Sequence, residues 1–286
     1  MRIVSFKGAN GPRLGVRLGD EIADIGTAAP GLPGDLAQVL ALGDNGRAAL
    51  AKAAEGAPRL PLAGLTLLPP VTRPGKILCL GLNYAGHARE TGQALPDFPV
   101  LFLRAATSLV GHGAPILRPK VSDLLDYEGE FAFVIGTRCR HVPREAALSV
   151  VAGYAPFNDG SVRDYQMKTP QWTIGKNFDD TGGFGPELVT ADELPPGASG
   201  LRLVTRLNGE VMQDTNTDDL IFDVPVLIEM LSACMTLEPG DVVVTGTPSG
   251  VGGLRKPPVF MKPGDVVEVE LEGTGVLSNP IEQEKA

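Results

Sequence analysis

Glu128 and Glu130 stand two residues apart at the head of "DYEGEFAFVIG" (126–136), a run whose other members suit a buried β-strand. Strand side chains alternate faces, so Glu128, Glu130, Ala132 and Val134 share one side while Tyr127, Phe131, Phe133 and Ile135 share the other. Two like charges about 7 Å apart on one face repel unless a cation lies between them. A third carboxylate follows in "GYAPFNDGSVRDYQ" (153–166), where an apolar strand breaks at Asn158-Asp159-Gly160 and leaves Asp159 at a strand exit. Three carboxylates without sulfur or imidazole suit a hard cation, Mg²⁺ or Mn²⁺, which keeps water or substrate on its remaining positions. Spacing alone also allows a plainer arrangement, with both glutamates in solvent and Asp159 a turn residue.

A second cluster lies in "GLNYAGHARE" (81–90), where His87 and Glu90 share a face if the segment takes a helical turn. A carboxylate bonded to one imidazole nitrogen fixes the tautomer and raises basicity, which leaves the other nitrogen to take a proton from water. The same pair on a short exposed helix is an ordinary surface ion pair. The spacing does not choose between the two.

Other motifs fall away. "TGTPSGVGG" (245–253) follows a strand and is glycine-rich, but it lacks the Gly-Lys-Ser/Thr ending of a phosphate loop. It also runs into "LRKPPVF", whose prolines forbid the helix such a loop requires. There is no Gly-x-Ser-x-Gly and no His-Glu-x-x-His, and His87, His112 and His141 are too scattered for a polyhistidine site. Cys79, Cys139 and Cys234 form no Cys-x-x-Cys pair and are expected to be buried or inert thiols.

The elements that must position these groups are mostly strands. "KILCLGL", "PVLFLR", "GEFAFVIG", "LRLVTRLNGEVMQ", "DVVVTGT" and "DVVEVELEG" read as short strands, with Asn208-Gly209 a hairpin turn. One helix is expected after Asp223, a good N-cap, through "VPVLIEMLSACM", with Pro225 tolerated in its first turn. Residues 1 to about 70 differ: alternating strands, a helical "LAQVLALGDNGRAALAKAA" and a proline-rich connector predict a small leading domain. The 286 residues are 43% hydrophobic and 21% charged, an ordinary globular balance. A net charge of -9 argues against general affinity for nucleic acid or anionic membrane. No apolar run approaches the roughly 20 residues of a membrane span, and the first residues lack a signal peptide's apolar segment, so the cytoplasm is the expected compartment.

Taken together, "KILCLGLNYAGHARE", "DYEGEFAFVIG", "AGYAPFNDGSVRDYQ", "GKNFDDTGGFGP", "LNGEVMQ" and "LEPGDVVVTGTPSGVG", in this order and spacing, resemble the fumarylacetoacetate hydrolase superfamily. The resemblance implies a mixed α/β, mainly β fold: a β-sandwich roll over 71–286 carrying the catalytic site, with the small N-terminal domain over 1–70, assembled as a homodimer. It places one Mg²⁺ or Mn²⁺ per subunit on Glu128, Glu130 and Asp159. His87 and Glu90 match the family's catalytic dyad, on a segment (84–95) that is a mobile lid in many members, and Lys176 matches the active-site lysine. Arg163 and Gln166 match polar groups near the substrate, and Thr247 a contact to the substrate carboxylate. Arg104 stands where many relatives have lysine followed by proline; it is expected against the substrate, and Arg is not a neutral swap for Lys at a defined contact. Gly160 replaces bulkier residues.

The implied activity is metal-dependent hydrolysis of a carbon–carbon bond in a small 2,4-dioxo acid such as an acylpyruvate, in aromatic or sugar-acid catabolism. The dyad would activate water and Lys176 would stabilise the oxyanion. The alternative is an isomerase, decarboxylase or lyase of hydroxymuconate-type or oxaloacetate-type acids on the same site. A catalytically silent binding protein is a third reading, opposed by the complete set of ligands and dyad.

Overall fold

Strands apolar on both faces build the centre of the computed structural model, which describes residues 1–90, 92 and 94–285. The strands that carry the argument are β1 (Arg2–Gly8), β2 (Ile77–Gly81), β3 (Val100–Arg104), β4 (Gly129–Ile135), β5 (Val151–Asp159), β6 (Leu188–Thr190) and β7 (Val242–Val244). They lie side by side in the order β1-β6-β5-β4-β7-β2-β3, all neighbours antiparallel except the parallel β7–β2 pair. A second sheet of five strands includes the hairpin Arg202–Leu207 and Glu210–Asn216, turning at Asn208-Gly209 as predicted.

The alternation read from β4 separates two cores. Ala132 and Val134 join one, with Ile77, Cys79, Ala155, Phe157, Val242 and Val244. Phe131, Phe133 and Ile135 join the other, with Leu78, Leu80, Tyr154 and Val243. A central strand buried on both sides reads as a continuous apolar run for this reason. The predicted late helix spans Val224–Cys234, and the Asp223 side chain accepts from the Val226 N–H at 2.9 Å.

The leading segment is not set apart as its composition suggests. β1 pairs antiparallel with β6, Arg2 opposite Val189 and Ile3 opposite Leu188, so the main sheet runs on into residues 1–70. Ile3, Leu14, Leu36 and Leu50 share one core with Cys79, Ala132 and Phe184, across the boundary expected near residue 70. The helical stretch splits into Leu36–Ala41 and Asp44–Gly56 at Gly43, which adopts φ +64°. Among the described residues no helix is long and apolar enough to cross a membrane.

Candidate active site

The register of β4 on β5 brings the three carboxylates together. Glu130 stands opposite Phe157 and Gly129 opposite Asn158. One step further, the Asp159 N–H donates to the Glu128 carbonyl at 2.8 Å, so Glu128 and Asp159 face each other across the pair. Glu128, Glu130 and Asp159 each present an oxygen, and these oxygens lie within 4.8 Å of one another. All three residues are buried, Asp159 completely. The solvent-facing arrangement open at the level of spacing is therefore not the one adopted.

Buried charges survive only if paired and hydrogen-bonded. Lys176, on the short helix Thr173–Lys176, donates to Glu128 Oε2 and Asp159 Oδ2, each at 2.6 Å. Arg163, on Arg163–Gln166, donates to Glu128 Oε1, and to Gln166 Oε1 at 2.9 Å. Arg104 donates to Asp159 Oδ1. Glu130 accepts from the Gly246 N–H. Burial alone would raise the Glu128 carboxyl, but Lys176 and Arg163 overcome it and hold it down to about 2. Burial and then repulsion from Asp159 and Glu128 push Glu130 well above the usual carboxylate range. Lys176 is raised despite its burial, because Asp159 and Glu128 favour the ammonium.

The donor set decides whether a dication fits. With Asp126 the cluster counts one more carboxylate than its cations Arg104, Arg163 and Lys176, and Glu130 bears the surplus. An all-oxygen set of three buried carboxylates is the donor chemistry of Mg²⁺ or Mn²⁺, which would remove that repulsion and keep positions for other oxygens. The residues present fit such an ion.

The dyad forms as a pair. His87 and Glu90 lie on α1 (Ala85–Glu90), with His87 Nδ1 3.0 Å from Glu90 Oε2. This helix is docked: Glu90 Oε1 accepts from the Gly250 N–H, and Asp219 Oδ2 from the Gly86 N–H, both at 3.0 Å. Of the expected lid segment 84–95, Thr91 and Gln93 lie outside the described residues. A cavity of about 570 Å³ opens between these groups, lined by His87, Glu90, Glu128, Arg163, Gln166, Lys176 and Thr247 on its polar side. Thr247 donates to the Gly129 carbonyl at 3.0 Å and accepts from Gln213 at 2.8 Å.

Arg104 corrects an expectation. Its side chain is wholly buried and off the cavity wall, bound to Asp159, Ser108 Oγ, the Gly160 carbonyl and Thr181 Oγ1. It holds the third carboxylate from behind and does not reach the place a substrate would occupy. Gly160 belongs to the same unit, since a Cβ there would come within 2.1 Å of the Thr181 carbonyl. The two departures noted in the sequence are thus in contact with each other.

Asp126 was missed. Its buried carboxylate accepts from the N–H groups of Gly252 and Gly253 at 2.9 and 2.8 Å and from Arg163 Nε at 2.8 Å, tying the loop after β7 to the guanidinium. The signal was present: Asp126, Glu128 and Glu130 keep the period of two. Trp172 and Phe102, on the apolar side of the cavity, carried no sequence signal that separates them from core residues.

The chain has known relatives. Residues 76–282 match the family model for the fumarylacetoacetate hydrolase C-terminal domain. The chain is 40% identical to the mitochondrial oxaloacetate tautomerase of Xenopus laevis, over 98% of this chain and 90% of that one. It is similar to the crystal structure of maleylpyruvate hydrolase from Sphingobium sp. SYK-6 with manganese(II) and pyruvate, at 33% identity, TM-score 0.84 and full coverage of both chains. A 5-carboxymethyl-2-hydroxymuconate delta-isomerase from Mycobacterium smegmatis gives 34% identity and TM-score 0.78, again over the whole of both chains. This chain belongs to the fumarylacetoacetate hydrolase family, enzymes that act on oxo acids.

Proposed function

We propose that this protein moves a proton at the carbon next to the 2-oxo group of a small oxo acid, a keto–enol tautomerisation. The observation that carries the reading is a single acid–base pair, His87 with Glu90, on the wall of a cavity that also presents Glu128, Arg163 and Lys176. No serine or cysteine lies among the described lining residues, and the Thr247 hydroxyl is committed to the Gly129 carbonyl. Proton transfer needs one positioned base and a polarised carbonyl, and nothing more. The relative from Xenopus laevis named for oxaloacetate tautomerisation supports it.

Glu128, Glu130 and Asp159 would hold Mg²⁺ or Mn²⁺, which supplies Lewis-acid polarisation of the oxo group. Glu90, held against His87 Nδ1, raises the basicity of the imidazole, which would take the proton from carbon and return it to oxygen. Lys176 and Arg163 lend positive charge where the oxygen turns negative, and Arg163 keeps Gln166 aligned.

Hydrolysis of a carbon–carbon bond in a 2,4-dioxo acid is the second reading. The cavity volume favours it, since about 570 Å³ exceeds the needs of a four-carbon acid, as does the similar maleylpyruvate hydrolase. Here His87 would take its proton from water. Assays with Mg²⁺ or Mn²⁺ separate the two: decay of enol absorbance for oxaloacetate and acylpyruvates, against release of pyruvate from the acylpyruvates in ¹⁸O water above the enzyme-free rate. Tautomerisation without pyruvate supports the first reading; pyruvate with ¹⁸O in the second acid replaces it by hydrolysis. No turnover in either assay removes both. The homodimer stays a proposal, checked by light scattering.

A further inference from the structure

We infer that Gln213 is a positioning residue for the ligand pair Glu128 and Glu130, acting through the peptide groups of Gly129 between them. This rests on the carboxylate triad as the seat of the divalent ion and is independent of which reaction follows. β4 outruns its neighbour β7 at this end. The Thr245 N–H still donates to the Phe131 carbonyl at 3.0 Å, but Gly246 turns the chain away with φ +97°. The next backbone groups on that edge, the N–H and C=O of Gly129, are met by side chains. Gln213 Oε1 accepts from the Gly129 N–H at 2.9 Å, and Thr247 Oγ1 donates to the Gly129 carbonyl at 3.0 Å. Gln213 Nε2 closes the ring, donating to Thr247 Oγ1 at 2.8 Å and to the Pro248 carbonyl at 3.0 Å.

A bulge in the second sheet delivers this glutamine. Thr205 stands opposite Gln213 and Arg206 opposite Val211, which leaves Met212 as an extra residue in its strand. Strict alternation would put Met212 and Gln213 on opposite faces; here both are buried, at 7% and 2% exposure, while Val211 is 47% exposed. The Gln213 carbonyl accepts one bond and its amide nitrogen donates two, so the carboxamide stands in for the strand partner that β7 no longer provides. Gly129 cannot resist rotation by itself, and a Cβ there would collide with Thr205 Oγ1. The residue between the two ligands is thus the freest in backbone, and the Gln213–Thr247 clamp supplies the restraint. Rotation of either Gly129 peptide would swing Glu128 or Glu130 out of the cluster that they form with Asp159.

Calorimetric titration of the full chain with Mn²⁺, alongside urea unfolding of the ion-free protein, tests this. Gln213→Met keeps the volume without the bonds and should weaken Mn²⁺ binding about 10- to 100-fold. Gln213→Asn, a methylene too short to span both partners, reads the same loss should Gln213→Met fail to fold. Thr247→Val removes the hydroxyl on the other side of the peptide and should act likewise, whereas Thr247→Ser should stay within about threefold of the parent. The two halves hold one peptide unit, so the losses in Gln213→Met and Thr247→Val should combine less than additively. Thr217→Val is the control, removing a buried hydroxyl bonded to the Ala198 carbonyl at 2.7 Å, just beyond the strand that carries Gln213. It should lower the urea midpoint as the clamp variants do and leave Mn²⁺ affinity unchanged. Parent-like Mn²⁺ affinity in the Gln213 variants, or an equal loss in Thr217→Val, overturns the inference while the metal site stands. A parent chain that binds no Mn²⁺ overturns both.

Discussion

At His87 and Arg104 the side chains do different work although both were expected at the substrate. His87 lines the cavity with its Nδ1 on Glu90, so His87→Ala is expected to lower turnover by about 10²–10⁴. Calorimetric Mn²⁺ affinity should stay near that of the parent, and a parallel loss of metal would move His87 into the ligand set. Arg104 is sealed behind Asp159, and Arg104→Met strands that carboxylate with Lys176 alone. Breaking a buried pair costs about 3–5 kcal/mol, readable as a lower urea midpoint. Arg104→Lys should recover part of this, since a point charge reaches Asp159 but cannot also serve Ser108 and Thr181. Glu130→Gln keeps the Gly246 contact's geometry and removes the surplus charge, so it should abolish Mn²⁺ binding without lowering stability of the ion-free protein.

At the level of elements, α1 is a short helix fastened at two points, Gly86 to Asp219 and Glu90 to Gly250. Asp219→Ala removes the first fastening outside the acid–base pair. It should raise KM more than it lowers kcat and speed amide exchange at 85–90, whereas equal exchange would show that the helix is held elsewhere. The strands were largely legible because alternation and apolar runs are local: β2, β3, β4 and the hairpin at Asn208-Gly209 fall where the pattern put them. The triad was legible as residues but not as geometry, since Glu128 meets Asp159 only through a pairing register that spacing does not encode. Arg104 misled because an arginine after a strand near a motif looks the same whether it faces a cavity or the interior.

Across the whole molecule, sheet and core pass from residues 1–70 into the rest. The piece 71–286 alone would expose the β6 edge and half of a core, so it should be insoluble or lack near-ultraviolet dichroism. Stability also carries a pH signature. His112 is lowered from 6.5, first by burial and then by Arg17, with a backbone hydrogen bond to Val276 and the charges of Glu187 and Glu268 opposing, and its Nδ1 accepts from the Ser278 N–H at 3.1 Å. The folded chain prefers neutral imidazole, so unfolded chains bind more protons once pH drops below about 6.5. Its stabilising effect is present above that pH and is lost as pH falls toward the folded value. His112→Gln should flatten the decline in urea midpoint between about pH 6.5 and 5, and an unchanged slope would assign the decline to other groups.

The register that sets Glu128 across from Asp159 has a further consequence. A one-residue slip in either strand would turn one partner to the opposite side of the sheet, so a single inserted residue in Gly129–Ile135 or Val151–Asp159 should part the two carboxylates and cost the protein its Mn²⁺ affinity.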